Sequence, residues 1–242
     1  MKYFYIYIIA LLCFIVAMSY WNSHGIHLVE GFFPVEGFLL EGFNSRKQQF
    51  LLLGDSILKN DLYVANGKSV DALLRAATDG KTTCLAVNEA TIPDVYLQIN
   101  KIPESLKSFS NSVKTYKNTT IFLSIGGNDI LTQYGAKGNT NDLKILDTIF
   151  TQYKKLVKSI QTAMPNALIV LLDLYYPDNI KFRIYHKIIR RWNQKLVTYA
   201  RENRLNIFQI SQLLTRPEDF TLSIEPSAIG SEKLVNAMIK NY

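Results

Sequence analysis

The chain of 242 residues has only two cysteines and three histidines, and each scarcity removes a class of chemistry. Cys13 stands in an apolar N-terminal run and Cys84 in an expected buried strand, so the two are not expected to pair. No disulfide framework and no cysteine–histidine metal cluster follows from such spacing. His24 and His27 fall in a glutamate-containing stretch and His186 on a long expected helix. Few imidazoles are therefore left for acid–base work. Charge is sparse as well, at 19% of residues and a net +7. Leaving out residues 1–43, with Lys2, Glu30, Glu36 and Glu41, leaves 26 basic against 17 acidic residues. These basic residues are scattered, the densest group being Lys187, Arg190 and Arg191 on one expected helix. A solvated helix face accounts for them, and no nucleic-acid partner is expected. A domain of about 200 residues buries a substantial core without disulfides or metals. No cofactor is implied.

Between Tyr3 and Ser23 charge is absent altogether, and Tyr3–Met18 is nearly all apolar. A stretch of roughly 18–20 such residues is long enough to cross a bilayer as a helix. Tyr3, Tyr5, Tyr7, Tyr20 and Trp21 lie toward its ends, where amphipathic aromatics favour the interface. The competing reading is a cleaved signal with Ala17-Met18-Ser19 as its small-residue site, but signal cores run only about 7–15 residues. Residues 1–23 are accordingly expected to be a single-pass membrane anchor. The side of the membrane is poorly fixed. The one sequon, Asn118-Thr119-Thr120, points to a lumenal or extracytoplasmic domain if it is used. Residues 24–47 repeat Glu30-Gly31-Phe32, Glu36-Gly37-Phe38 and Glu41-Gly42-Phe43, with spacings that suit neither solenoid nor helix. They read as a linker.

From residue 48 onward, short apolar runs alternate with amphipathic stretches. Expected strands are Phe50–Gly54, Thr83–Val87, Thr120–Ile125, Leu168–Leu174 and Asn206–Ile210. Expected helices are Val70–Ala77, Pro93–Lys101, Leu143–Ala163, Ile180–Asn203 and Ser227–Lys240. Near-continuous apolar strands alternating with helices predict a three-layer α/β/α sandwich, flavodoxin-like, around a mostly parallel five-stranded sheet. In such folds the site lies beyond the carboxyl ends of the strands. The polar and glycine-rich segments fall there: Asp55-Ser56, Asn88-Glu89, Gly126-Gly127-Asn128-Asp129 and Tyr175-Tyr176-Pro177-Asp178.

Two segments carry chemistry together. Leu51-Leu52-Leu53-Gly54-Asp55-Ser56 ends a buried strand in a turn that delivers a hydroxyl. Serine attack on an ester also requires a base and oxyanion donors. In Ser124-Ile125-Gly126-Gly127-Asn128-Asp129 a side-chain amide is available as donor and glycines permit close approach. Alone, each segment is equally a capped turn. In this order and at these strand ends, they resemble the SGNH or GDSL-like hydrolases over residues 48–242. The resemblance implies Ser56 as nucleophile, Asn128 as oxyanion donor and Gly126 as the turn former.

Two further blocks of that family depart here. Within Ala86-Val87-Asn88-Glu89-Ala90, Glu89 stands where the family has an oxyanion glycine. In Leu222-Ser223-Ile224-Glu225-Pro226-Ser227-Ala228-Ile229-Gly230, the family's Asp-x-x-His is replaced, with Leu222 at the Asp position and Glu225 at the His position. The segment looks like a family branch with Ile-Glu-Pro-Ser. Glu225 is then the candidate base, with His186 and Asp178 as alternatives and Tyr175, Tyr176 and Pro177 as pocket walls. The carboxylates Asp55, Glu89, Asp129 and Glu225 are also hard-cation ligands in kind, but no metal-specific spacing exists. The leading expectation is a membrane-anchored esterase, lipase or deacetylase acting on an acyl ester of a lipid, glycan or small molecule. The alternatives are a silent member of the fold that binds a glycan, lipid or protein, and a basic scaffold at a membrane surface.

Overall fold

The computed structural model describes residues 48–111, 118–135, 142–177 and 179–242. The expected anchor at 1–23, the expected linker at 24–47 and Asp178 lie outside the described residues. Among the described residues, no helix is long and apolar enough to cross a membrane.

Five strands, β1 (Gln49–Gly54), β2 (Thr82–Cys84), β3 (Thr119–Ser124), β4 (Leu168–Leu172) and β5 (Asn206–Phe208), form one parallel sheet in the order β2-β1-β3-β4-β5. β1 and β3 pair along their full length, from Gln49 opposite Thr119 to Gly54 opposite Ser124. β3 is buried at all six positions, as a central strand covered on both faces must be.

The strand order fixes which helix covers which face, because crossovers between parallel strands are right-handed. The chain moves one way from β1 to β2 and the other way for every later step. The first crossover helix, α2 (Val70–Ala77), therefore lies opposite α3 (Ile92–Asn100), α6 (Asp142–Ala163) and α7 (His186–Glu202). The packing agrees: α3 packs on α6 and α6 on α7, while α2 packs on the C-terminal α9 (Ala228–Asn241). The short helices α1 (Ser56–Lys59), α4 (Glu104–Asn111), α5 (Gly127–Gly135) and α8 (Ile210–Leu213) complete the chain, with a hairpin of β6 (Phe220–Thr221) and β7 (Glu225–Pro226) before α9.

The expected strands all form, but four of them end earlier than expected, at Cys84, Ser124, Leu172 and Phe208. Their apolar character continues past the last ladder bond because the following residues still pack under the loops; Ala86, Ile125 and Leu174 are all buried. The expected helix Ile180–Asn203 divides into a 3-10 turn, Ile180–Tyr185, and α7. Asn179 starts the turn by accepting a hydrogen bond from the Lys181 N–H at 2.9 Å.

The sequon is enclosed by the fold. Thr119 and Thr120 are fully buried in β3, and the Asn118 Nδ2 is buried without a hydrogen-bond partner. In the folded domain it gives no handle on the side of the membrane.

Candidate functional site at the β1–β3 switch point

Strand order reverses between β1 and β3, and a crevice opens where the two crossovers leave in opposite directions. The loops after these two strands carry Asp55-Ser56 and Gly126–Asp129. A small apolar cavity of about 60 Å³ lies there. Ser56, Asn128 and Glu225 line it together, with Ile130, Leu174, Tyr175, Phe182 and Ile224 among its apolar walls. Three segments far apart in sequence thus meet at one point.

The serine turn is tightly specified. Gly54 has φ +128°, and a Cβ there would stand 1.7 Å from the Ser124 carbonyl oxygen, so glycine is required. The Gln98 side chain grips the same residue twice: Gly54 N–H donates to its Oε1 at 2.7 Å, and its Nε2 donates to the Gly54 carbonyl at 2.8 Å. Asp55 caps α1. Its Oδ1 accepts from Ile57 N–H at 3.2 Å and from the Ser124 hydroxyl at 3.0 Å. Burial pushes the Asp55 carboxyl up to about 7, against those two hydrogen bonds, which lower it. Asp55 therefore builds the turn, with its Oδ1 bound to Ile57 and Ser124 at the cavity wall.

The second loop is built similarly. Gly126 has φ +112°, and a Cβ there would lie 2.5 Å from the Trp192 ring, which is wholly buried. Asp129 accepts the Ile92 N–H at both oxygens, at 3.2 and 3.1 Å, which ties α5 to α3. Burial raises its carboxyl to about 6. Asn128 donates from Nδ2 to the Ala90 carbonyl at 2.9 Å. That amide nitrogen carries two hydrogens, so one N–H remains for the cavity it lines.

Glu89 has φ +62°, a left-handed conformation natural to glycine and strained for glutamate. Its side chain is exposed and does not line the cavity.

The C-terminal block is anchored from behind. Asn60, fully buried, donates to the Pro226 carbonyl and to Ser231 Oγ, each at 2.8 Å, and accepts from Val70 N–H at 2.9 Å. Asp219, also fully buried, accepts from Thr215 and Arg216 N–H at 3.0 Å and pairs with Lys233 at 2.5 Å. Gly230 passes so close to the Asp219 carbonyl that a Cβ would stand 2.2 Å from it. These contacts account for Pro-Ser-x-x-Gly as a packing requirement. The Tyr175 hydroxyl donates to the Ile224 carbonyl, holding the residue before Glu225.

Glu225 lies on β7 opposite Thr221 and lines the cavity together with Ser56. Burial raises its carboxyl above the ordinary value, the neighbouring Ser56 hydroxyl lowers it, and the Glu89 carboxylate raises it. Its Oε2 is buried with no hydrogen-bond partner. Tyr63 sits in the same field: burial first, then Glu225, Glu89 and Asp61, raise its hydroxyl. Leu222, by contrast, is 70% exposed at the hairpin tip with φ +47°, so nothing there can orient Glu225.

Two candidates stand outside the cavity lining. Tyr176 does not line the cavity. Extended backbone alternates its side chains, so Tyr175 and Pro177 face the cavity while Tyr176 turns toward a separate groove with Asp173 and Arg190. His186 also stands outside. Its Nε2 lies 2.9 Å from the Pro177 carbonyl and its ring meets Tyr176 edge-on, because the 3-10 turn rotates Phe182 and Tyr185 inward instead. Among the described residues, no three carboxylate, cysteine or histidine side chains are grouped to hold a metal ion. Gln98 escaped the sequence reading. Its signal was a lone amide within the buried stripe Ile92, Val95 and Ile99 of α3.

A parallel α/β/α sandwich with a hydroxyl, an amide and a carboxylate converging at its switch point defines a hydrolase-type fold. The chain belongs to the GDSL-like lipase/acylhydrolase family, whose model matches residues 52–232. No curated protein matches the chain. Solved structures share its fold at low identity. A member of the lipolytic G-D-S-L family from Veillonella parvula is 16% identical, with a TM-score of 0.58 over 81% of this chain and 98% of that one. An extracellular lipase from Streptomyces rimosus is 18% identical, with a TM-score of 0.59 over 81% of this chain and 100% of that one. A phospholipase A1 from Streptomyces albidoflavus is 13% identical, with a TM-score of 0.55 over 81% and 100%.

Proposed function

We propose that this protein hydrolyses an acyl ester through Ser56, with Glu225 as general base. The observation that carries the reading is the Ser56 hydroxyl set against a half-buried carboxylate inside an apolar cavity that Asn128 also lines. Glu225 takes the proton as Ser56 Oγ attacks the acyl carbon, and returns it to the departing alkoxide. Water then attacks the acyl-serine by the same route in reverse, giving acid and alcohol. The free N–H of Asn128 stabilises the oxyanion. A carboxylate near pKa 4.3 is a weak base, and efficiency improves as its pKa approaches the working pH. Burial and Glu89 move Glu225 in that direction. The negative charge that makes Glu89 unfavourable beside an oxyanion thus has a use at the base.

The apolar walls suit the acyl part of a lipid, glycan or small-molecule ester. The proposed anchor at residues 1–23 would hold the domain at a membrane, with the domain on the extracytoplasmic side.

The test is labelling of the full chain with a serine-reactive fluorophosphonate. Labelling lost in Ser56→Ala and strongly reduced in Glu225→Gln supports the reading. Labelling equal in Ser56→Ala and wild type removes it, and the silent binding member of the fold then becomes the account.

A further inference from the structure

The cavity opens between two segments that are linked to each other and unusually apolar on their outer side. One is the 3-10 turn Ile180–Tyr185, which supplies Phe182 and Tyr185 to the cavity wall. The other is the β6–β7 hairpin, which supplies Ile224 and Glu225. Asn179 Nδ2 donates to Ser223 Oγ at 2.9 Å and joins them. Immediately beside that bond, Ile180 is 68% and Leu222 70% exposed, and Ile184 is 63% exposed one turn further on. Large aliphatic residues gathered at a cavity mouth mark an interaction site, unlike single exposed ones.

The charge on the 3-10 segment has one sign. Lys181, Arg183 and Lys187 are exposed on this segment, and no acidic residue lies among the described residues 179–187. With Asp178 included, residues 178–187 still carry a net +2. Aliphatic groups flanked by basic residues match an anionic bilayer surface, where the first enter the acyl boundary and the second meet the headgroups.

We propose that Ile180, Ile184 and Leu222, with Lys181, Arg183 and Lys187, form a docking face for an anionic lipid bilayer. The domain then sits with the cavity mouth at the headgroup level. Phe182 and Tyr185 then connect the bilayer directly to the cavity. This goes beyond the hydrolase reading and requires neither an activated serine nor turnover.

Binding alone decides nothing, because the apolar Tyr3–Met18 run can carry the chain to any bilayer; depth at defined positions does. In the full chain with Cys13→Ser and Cys84→Ser, single cysteines are introduced as Ile184→Cys, Leu222→Cys or Lys240→Cys and labelled with an environment-sensitive fluorophore. Position 240 is exposed near the end of α9, and Tyr242, just beyond that helix, accepts through its backbone carbonyl from Gln48, which precedes β1, so position 240 reports the opposite edge of the sheet. Phosphatidylcholine vesicles containing phosphatidylglycerol and a spin-labelled quencher lipid are then added.

The expected result is a blue shift and quenching at 184 and 222 and none at 240. Charge reversal by K181E, R183E and K187E is expected to lower that quenching at least about two-fold, since each basic residue contributes to surface attraction. Three outcomes overturn the proposal: no quenching at 184 and 222, equal quenching at all three positions, or quenching indifferent to charge reversal. A blue shift at 184 and 222 before vesicles are added also overturns it, because the chain's own residues 24–47 are then the occupant.

Discussion

Asp55, Asp129 and Glu225 meet at the candidate site, and the segments that hold them treat them differently. Asp55, behind β1, is held through Oδ1 by Ser124 and Ile57, and Asp129, behind β3, has both oxygens on the Ile92 N–H. Glu225, on the C-terminal hairpin, keeps one oxygen with no partner and turns toward Ser56. The occupied acids are parts of the scaffold. The unoccupied one is available for chemistry. A buried polar atom without a partner costs stability, and such a cost is expected where a group has work to do. The difference also separates turns made rigid by side chains from the next strand or helix from a hairpin fixed mainly through its backbone.

The sharpest way to break this comparison is to disable Glu225 alone. Glu225→Gln should lower kcat for a soluble activated ester by roughly 10²–10⁴-fold, the range for a general base, with no loss of melting temperature. The same exchange at Asp129 should do the reverse, lowering stability more than turnover. Asn128→Ala should reduce kcat by about 10²–10³-fold, as removal of one oxyanion donor does. Gln98→Met keeps the volume but gives up both bonds to Gly54. A drop of about ten-fold in kcat at constant KM is expected from a misplaced nucleophile, and Gln98→Glu, which keeps the acceptor for Gly54 N–H, should recover part of it.

The acids also differ in what pH does to them. A folded-state value raised to about 7 for Asp55 means that the native state binds more protons than the unfolded chain between its ordinary value and 7. Stability should therefore fall as pH rises through that window, by an amount on the order of a few kcal/mol, and level off above it. Asp55→Asn should flatten that slope in a series of denaturant midpoints. For Glu225 the readout is activity, which should rise with pH as the carboxylate forms. Glu89→Gln removes a charge that raises Glu225, so the acid limb of kcat should move to lower pH. The smallest effect belongs to Leu222→Asp. Restoring an acid at that position should change turnover of a soluble ester less than about two-fold, because the site is exposed and points away from any base.

Much of the framework was legible from residue pattern. Apolar runs such as Leu51–Leu53 and Ile121–Leu123 are sheet-buried on both faces, and only a covered parallel sheet uses them so. Gly54 and Gly126 were readable as turns because local sterics demand glycine at both. The pairing of Ser56 with Glu225 was only half legible. The motif pointed to Glu225, but its half-buried setting at the cavity and its unpartnered Oε2 depend on Asn60 and Tyr175, more than 40 residues away along the chain. Gln98 acts through a fold-level contact that no local spacing announces. His186 looked available because a continuous helix was expected; a single asparagine cap changed the phase of that segment and turned the ring outward.

The central claim is that Glu225 activates Ser56, and one measurement addresses it directly: the rate of fluorophosphonate attachment to Ser56, followed by intact mass, against pH. The account predicts that the wild-type rate climbs with pH along a titration above the ordinary glutamate value, and that Glu225→Gln gives a slow rate with that titration gone. A Glu225→Gln protein that labels Ser56 at the wild-type rate, with the same pH dependence, would contradict it.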